Sequence, residues 1–277
     1  MCSKDTEKVD QIVCVPRSHN DEDEIEAAEI AIDINPQNGF HVERMMQQFS
    51  SMNITAPNEA DMRVLTAVNV ARKWGKNPRL AVSFVDQTPN DLKTRILSHL
   101  NAWGNRGSGI RFSYSRNVNS SHVRINREFQ NDPDWDGYWS FLGTDVMKYQ
   151  GPNGQTMNLQ GFTMQTDESE YRRVVRHEGG HALGFPHEHL RKELIDLIDK
   201  DKAIKYFKRM SGWDEKKTIR QVLTPISDHQ IHRTVMADPN SIMAYRLPDS
   251  ILKAGATSVP GGNDINENDY WFAKEIY

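Results

Sequence analysis

His177 and His181 stand four residues apart in the stretch His177-Glu178-Gly179-Gly180-His181. On a helix that spacing puts both imidazoles on one face, one turn apart, which is the separation needed to fill two corners of a tetrahedral zinc site. Glu178 falls about 100° further round the helix, beside the metal without pointing straight at it. A carboxylate placed there can take a proton from a water on the metal without displacing that water. Gly184 is a natural left-handed stop that turns the chain back, so that His187 supplies a third ligand. The full pattern HExxHxxGxxH specifies five positions, and its chance occurrence anywhere in a chain of this composition is below about 10⁻⁴. Three neutral imidazoles and an open fourth position describe a catalytic zinc site, where the metal lowers the pKa of its water to about 7 and polarises a carbonyl oxygen. The chemistry expected is hydrolysis of internal peptide bonds, with Glu178 as general base that then hands the proton to the leaving amine.

The elements that must hold these groups can be read from periodicity and punctuation. Asp167-Glu168-Ser169-Glu170 opens a helix that runs through Tyr171 to Arg176 into the motif and ends near Gly184. Upstream, Leu80 to Val85 is strand-like, and Thr88-Pro89-Asn90-Asp91 supplies a cap, a proline at the first helical position and an acidic first turn. The helix that follows carries Leu92, Ile96, Leu100 and Trp103 on one face and stops near Gly104. Ile110 to Tyr114 and His122 to Ile125 alternate with period two, and Thr156 to Gln160 reads as a further strand. The acidic run Asp21 to Glu24 favours the start of a helix through Ile32, and Glu59 to Trp74 is expected to form another. Both pack against the main domain or, on a sharper reading, cover or regulate a site. Lys200 to Lys208 reads as the outer face of an amphipathic helix. The pattern as a whole is α+β, with an interior sheet and a few long helices.

The motif, read on as His177 to Glu188, resembles that of the metzincin metalloproteases and of their astacin branch in particular. The resemblance extends to Ser241-Ile242-Met243-Ala244-Tyr245, which is similar to the astacin Met-turn. It implies a metzincin-type catalytic domain, with a twisted mixed sheet and long helices in an upper subdomain. Below lies an irregular lower subdomain with a C-terminal helix, here Tyr270 to Tyr277. By the same resemblance Met243 forms the floor beneath the zinc, and Tyr245 is a switchable ligand that swings off the metal to stabilise the oxyanion. Glu188 matches a residue that helps anchor the mature N-terminus. Tyr138 to Gly143 resembles a stretch preceding the family's edge strand, and Thr156 to Gln160 resembles that strand, on which an extended substrate lies antiparallel. Residues 73–277 would form the catalytic domain, with one zinc ion, and residues 1–72 an N-terminal helical extension.

The chain departs from the family in its cysteines. Astacin domains usually hold two disulfides, whereas the two cysteines here are Cys2 and Cys14, and Tyr138 stands where a half-cystine is expected. The aspartate motif by which astacin pro-segments block zinc is not found upstream of Trp74. Cys14 therefore has two readings, a thiolate latch on the zinc or an exposed or loosely packed thiol, the second being the expectation. His189 has two readings, a contact supporting the site or the substrate and a solvent-facing ring, of which the second is expected; His229 and His232 are expected to lie in a polar loop away from the metal. Arg246 to Pro248 are expected at the wall of the pocket that follows the scissile bond.

Composition narrows the rest. The 277 residues carry 34 Lys and Arg against 38 Asp and Glu, a formal charge of −4. That balance argues against binding nucleic acid through bulk positive charge. No apolar run approaches the roughly 20 residues needed to span a bilayer. The expected partners are protein or peptide substrates, with no nucleic acid, no membrane insertion and a monomer as the default state. The first thirty residues lack an apolar signal segment. The family resemblance implies secretion, and the lack of disulfides is compatible with the cytoplasm.

Overall fold

The computed structural model describes Cys14 and residues 21–40, 70–132, 134–225 and 237–277. Five strands form one mixed sheet in the order β2-β1-β3-β5-β4. They are β1 (Arg79–Phe84), β2 (Arg111–Tyr114), β3 (Val123–Asn126), β4 (Tyr138–Ser140) and β5 (Met157–Leu159). β1 runs parallel to β2 and β3, and β3 runs parallel to β5. β4 alone is antiparallel, with Tyr138 opposite Leu159 and Ser140 opposite Met157. The inner parallel strands are largely buried on both faces, as helix-covered sheets require.

This order corrects the sequence reading of the substrate strand. The stretch Thr156 to Gln160 contains β5, which is flanked on both sides, while β4 lies at the sheet's end and packs along the motif helix. Both strands are three residues long. Which of two such short strands lies outermost is settled by long-range pairing and leaves no local signal.

The helices that frame the site are α1 (Asp21–Ile34), α2 (Asn90–Leu100), α3 (Arg176–Ala182, the motif helix), α4 (Lys200–Ser211) and α5 (Glu267–Ile276). In α2 the side chains of Leu92, Ile96 and Leu100 are buried on one face, and Trp103 beyond it is buried too. Pro89 is the N-cap of α2 and not its first residue, and the Thr88 hydroxyl donates to Asp86 instead of capping the helix. The turns before α3 are continuous with it but begin as a short α-turn and pass through a π-helical stretch, Tyr171–Val175. Asp167 makes no side-chain cap.

Among the described residues, two of the three buried apolar clusters frame the site. The larger joins the sheet, α2, Trp103 and the C-terminal residues Ala273 and Tyr277. The C-terminal helix α5 and the residue after it contribute Ala273 and Tyr277 to the larger core. The smaller core gathers Phe207, Trp213, Val222, Leu247, Ile251 and Val259 around α4.

The N-terminal helix is fastened to the upper half. Ala27 belongs to the larger core. Arg72, buried, reaches Glu24 of α1 at 2.9 Å and Asp145 at 2.5 Å. Burial raises the Asp145 carboxyl to about 6, against the opposing pull of Arg72. The buried Asn38 side chain donates to the carbonyls of Ala31 and Lys73, both at 2.8 Å, and Asn35 donates to the Trp74 carbonyl. Residues 70–74 are not helical, which corrects the end of the helix expected there; residues 59–69 lie outside the described residues.

Gly184 explains how the motif helix stops. Its φ is +93°, a region that L side chains rarely occupy, and an added Cβ would sit 2.7 Å from the Arg72 carbonyl oxygen. We expect Gly184→Ala to cost at least about 2 kcal/mol of stability. A urea unfolding midpoint unchanged from the parent chain would contradict that close approach.

Candidate active site

The motif helix is held at both ends by indoles. The Trp103 N–H donates to the Arg176 carbonyl at 2.7 Å, and the Trp74 N–H donates to the orphan carbonyl of Ala182 at 2.8 Å. Neither tryptophan stands out in the sequence as a supporting residue. Gly179 and Gly180 leave room for what packs beneath. A Cβ on Gly180 would collide with the Met243 sulfur and come within 2.9 Å of the Trp103 ring. Met243 therefore packs directly against the helix at Gly180.

The three motif histidines converge. His177 Nε2 is 3.2 Å from His187 Nε2, and His181 Nε2 is 3.0 Å from the same atom. His177 Nδ1 contacts the Ile242 carbonyl at 2.6 Å, and His181 Nδ1 contacts the Phe185 carbonyl at 2.8 Å. A carbonyl can only accept, so the proton of each ring sits on Nδ1 and each Nε2 presents a lone pair. Burial holds His177 at about 4 and pushes His181 and His187 well below the ordinary histidine value, so the rings are neutral at pH 7. His187 Nδ1 is buried without a hydrogen-bond partner. The Nε2 lone pairs of His177 and His181 thus both face His187 Nε2, at 3.2 and 3.0 Å, in a buried pocket suited to a cation. The separations approach the edge of a tetrahedron with Zn–N bonds of about 2.0–2.1 Å. The residues fit zinc.

Cys14 completes the cluster. Its ligand atom and those of His177, His181 and His187 all lie within 4.8 Å of one another. The thiol donates to Glu178 Oε2 at 3.4 Å, and the Tyr245 hydroxyl donates to the Cys14 carbonyl. Cys14 is fully buried, so the expectation of an exposed thiol is corrected.

Glu178 and Tyr245 flank the histidines. Glu178 is completely buried. Burial, reinforced by Cys14 and Glu178, pushes the Tyr245 phenol well above its ordinary value and keeps it a donor. The turn that carries Tyr245 is pinned by Asp269, which accepts from the Ser241 hydroxyl at 2.6 Å and the Ile242 N–H at 3.1 Å. Asp269 escaped sequence analysis, although Asn266 and Asp269 form a capping box whose spacing is visible in the sequence. The Glu188 N–H donates to the Met243 carbonyl at 2.9 Å, joining the third histidine's segment to the same turn.

Glu188 makes local partners. Its carboxylate accepts from Arg191 at 3.1 Å and from the Asp238 N–H at 3.0 Å, and burial raises it to about 6. His189 is fully buried, against the expectation of a solvent-facing ring. It stacks on Tyr245, and desolvation takes it down to about 3. His229 and His232 lie outside the described residues.

A cleft of about 720 Å³ opens at the site, with His177, Glu178 and Tyr245 at one end. Val174, Leu247 and Val259 give it apolar walls, and Arg246 and Pro248 line it where sequence placed them. Sequence analysis missed Arg173, which also lines the cleft and grips Glu170 through contacts of 3.1 and 2.5 Å.

The family model for the astacin peptidases matches residues 66–259. The chain belongs to the astacin family. It is a zinc metalloendopeptidase, and its substrates are proteins or peptides. The fold is similar to that of myroilysin in two solved structures. One is 24% identical with a TM-score of 0.66, covering 74% of this chain and 95% of that one. The other is 25% identical with a TM-score of 0.53, covering 74% and 86%. High choriolytic enzyme 1, a hatching enzyme zinc-protease of the medaka fish Oryzias latipes, is 19% identical with a TM-score of 0.44, covering 73% of this chain and 90% of that one. No curated protein sequence matches the chain. Among the described residues no helix is long and apolar enough to cross a membrane.

Proposed function

We propose that this astacin-family protein hydrolyses internal peptide bonds with Glu178 as general base and Tyr245 as oxyanion donor, at a zinc held by His177, His181 and His187. The observation that carries the reading is the convergence of three neutral Nε2 atoms beside a buried carboxylate and a buried phenol. Zinc supplies a Lewis acid and a water of lowered pKa. Glu178 takes the proton of the attacking water and returns it to the departing amine. Tyr245 donates to the oxygen that gains charge as the carbonyl is attacked. Met243 and Gly184 shape the site without touching substrate, the first as its floor and the second as the turn that brings His187 back. The extended peptide adds as a strand along the outer edge of β4. In this reading residues 73–277 are the catalytic domain and residues 1–72 an N-terminal extension.

A second reading adds latency, and Cys14 favours it. Its sulfur takes the place beside the three histidines that water must occupy, and its carbonyl occupies the Tyr245 hydroxyl. The resting chain is then blocked at both the nucleophile and the oxyanion donor.

The test is cleavage of a peptide library by the full chain and by the chain carrying Cys14→Ala, read by mass spectrometry. Cleavage in at least one of them, abolished by a chelator and restored by zinc, is expected. Cleavage that persists after the metal is removed, or none in either chain when zinc-loaded, would sink the peptidase mechanism.

A further inference from the structure

His189 has no part in the scheme above, yet it is fully buried beside the site. Its ring stacks on that of Tyr245, with centroids 4.0 Å apart and planes 19° from parallel. Its Nδ1 lies 3.3 Å from the Tyr245 backbone N–H, which can only donate, so Nδ1 is the acceptor. Its Nε2 lies 3.3 Å from the Gln221 carbonyl and carries the proton. One neutral imidazole is thus used on both edges and one face. It ties Tyr245 to the π-helical stretch Ile219–Leu223 of the lower half. The Tyr245 ring also meets His187, with centroids 4.4 Å apart, and the two histidine rings lie 4.9 Å from one another. The phenol thus rests against a candidate metal ligand and against a second histidine anchored elsewhere in the fold.

We propose that His189 is the positioning residue for Tyr245, holding the phenol on the line along which its hydroxyl meets the developing oxyanion. The inference rests on the oxyanion role proposed for Tyr245. A stacked plane permits the ring to slide or pivot within that plane while opposing tilt out of it. The hydrogen bond to the backbone N–H fixes the point from which the side chain swings. A side chain that only filled space would need neither polar contact.

A double-mutant cycle tests this in the full chain carrying Cys14→Ala, where the site is open whether or not Cys14 restrains it. His189→Phe keeps the stacked ring and deletes both hydrogen bonds; His189→Gln keeps polarity without the ring and serves if the first variant fails to fold. Tyr245→Phe should lower kcat about 100-fold, the usual scale for one oxyanion donor. His189→Phe should lower kcat about 10-fold with KM and zinc content unchanged, yet by less than about twofold when Tyr245→Phe is already present. Equal losses with and without the phenol would make His189 a packing residue and overturn the inference while leaving the role of Tyr245 intact. No loss on Tyr245→Phe alone would overturn the oxyanion reading and this inference with it.

Discussion

Replacing Glu178 by glutamine is expected to lower kcat/KM on peptides by about 10²–10⁴, the range contributed by a positioned general base. Zinc content should stay at one ion per chain, measured by elemental analysis. Glutamine has nearly the same shape, so the buried space that Glu178 fills is preserved. The His177 and His181 hydrogen bonds run to the carbonyls of Ile242 and Phe185 and do not involve Glu178, so the ligand set has no reason to move. What is lost is an acceptor for the proton of the attacking water. Retention of more than about a tenth of the activity would remove Glu178 from the chemistry. Loss of zinc along with activity would instead make it a supporting residue.

The second large effect has the opposite sign. Cys14→Ala in the full chain should raise activity about 100-fold, the gain expected if the latched state holds about 99% of the molecules. The buried sulfur lies within 4.8 Å of all three histidine ligand atoms, and Tyr245 donates to the same residue's carbonyl. On the latent reading, losing the sulfur removes a fourth ligand that competes with water, and it loosens the backbone that occupies the phenol. Zinc binding should persist through the three histidines. Equal activity of the parent chain and Cys14→Ala, at equal zinc content, would make Cys14 a packing residue. The acidic helix α1 should stay in place in either case, since Arg72, Asn35 and Asn38 fasten it to the body.

The parts of this protein legible in its sequence are those governed by short-range geometry. Four residues make slightly more than one helical turn, so His177 and His181 had to share a face and Glu178 had to lie beside them. A glycine tolerates the left-handed turn at Gly184, which brought His187 back. Alternation marked the strands, and an apolar stripe marked α2. The similarity of Ser241 to Tyr245 to a known turn pointed to Met243 and Tyr245 as residues near the histidines.

What remained hidden depends on groups far apart along the chain. Cys14 and Glu178 are separated by 164 positions, and no local pattern tells a buried thiol at a metal site from an exposed one. His189 sits in a polar run, between Glu188 and Arg191, and only its packing against Tyr245 and Gln221 takes it out of water. The place of β4 at the sheet's edge, and of α5 on the larger core, follows from which surfaces pair once the chain is folded. Residue type and spacing set the chemistry because a helix repeats over a few residues. Burial, strand order and the approach of Cys14 to the histidines were decided by long-range packing, where the free energy belongs to contacts that the linear order does not record.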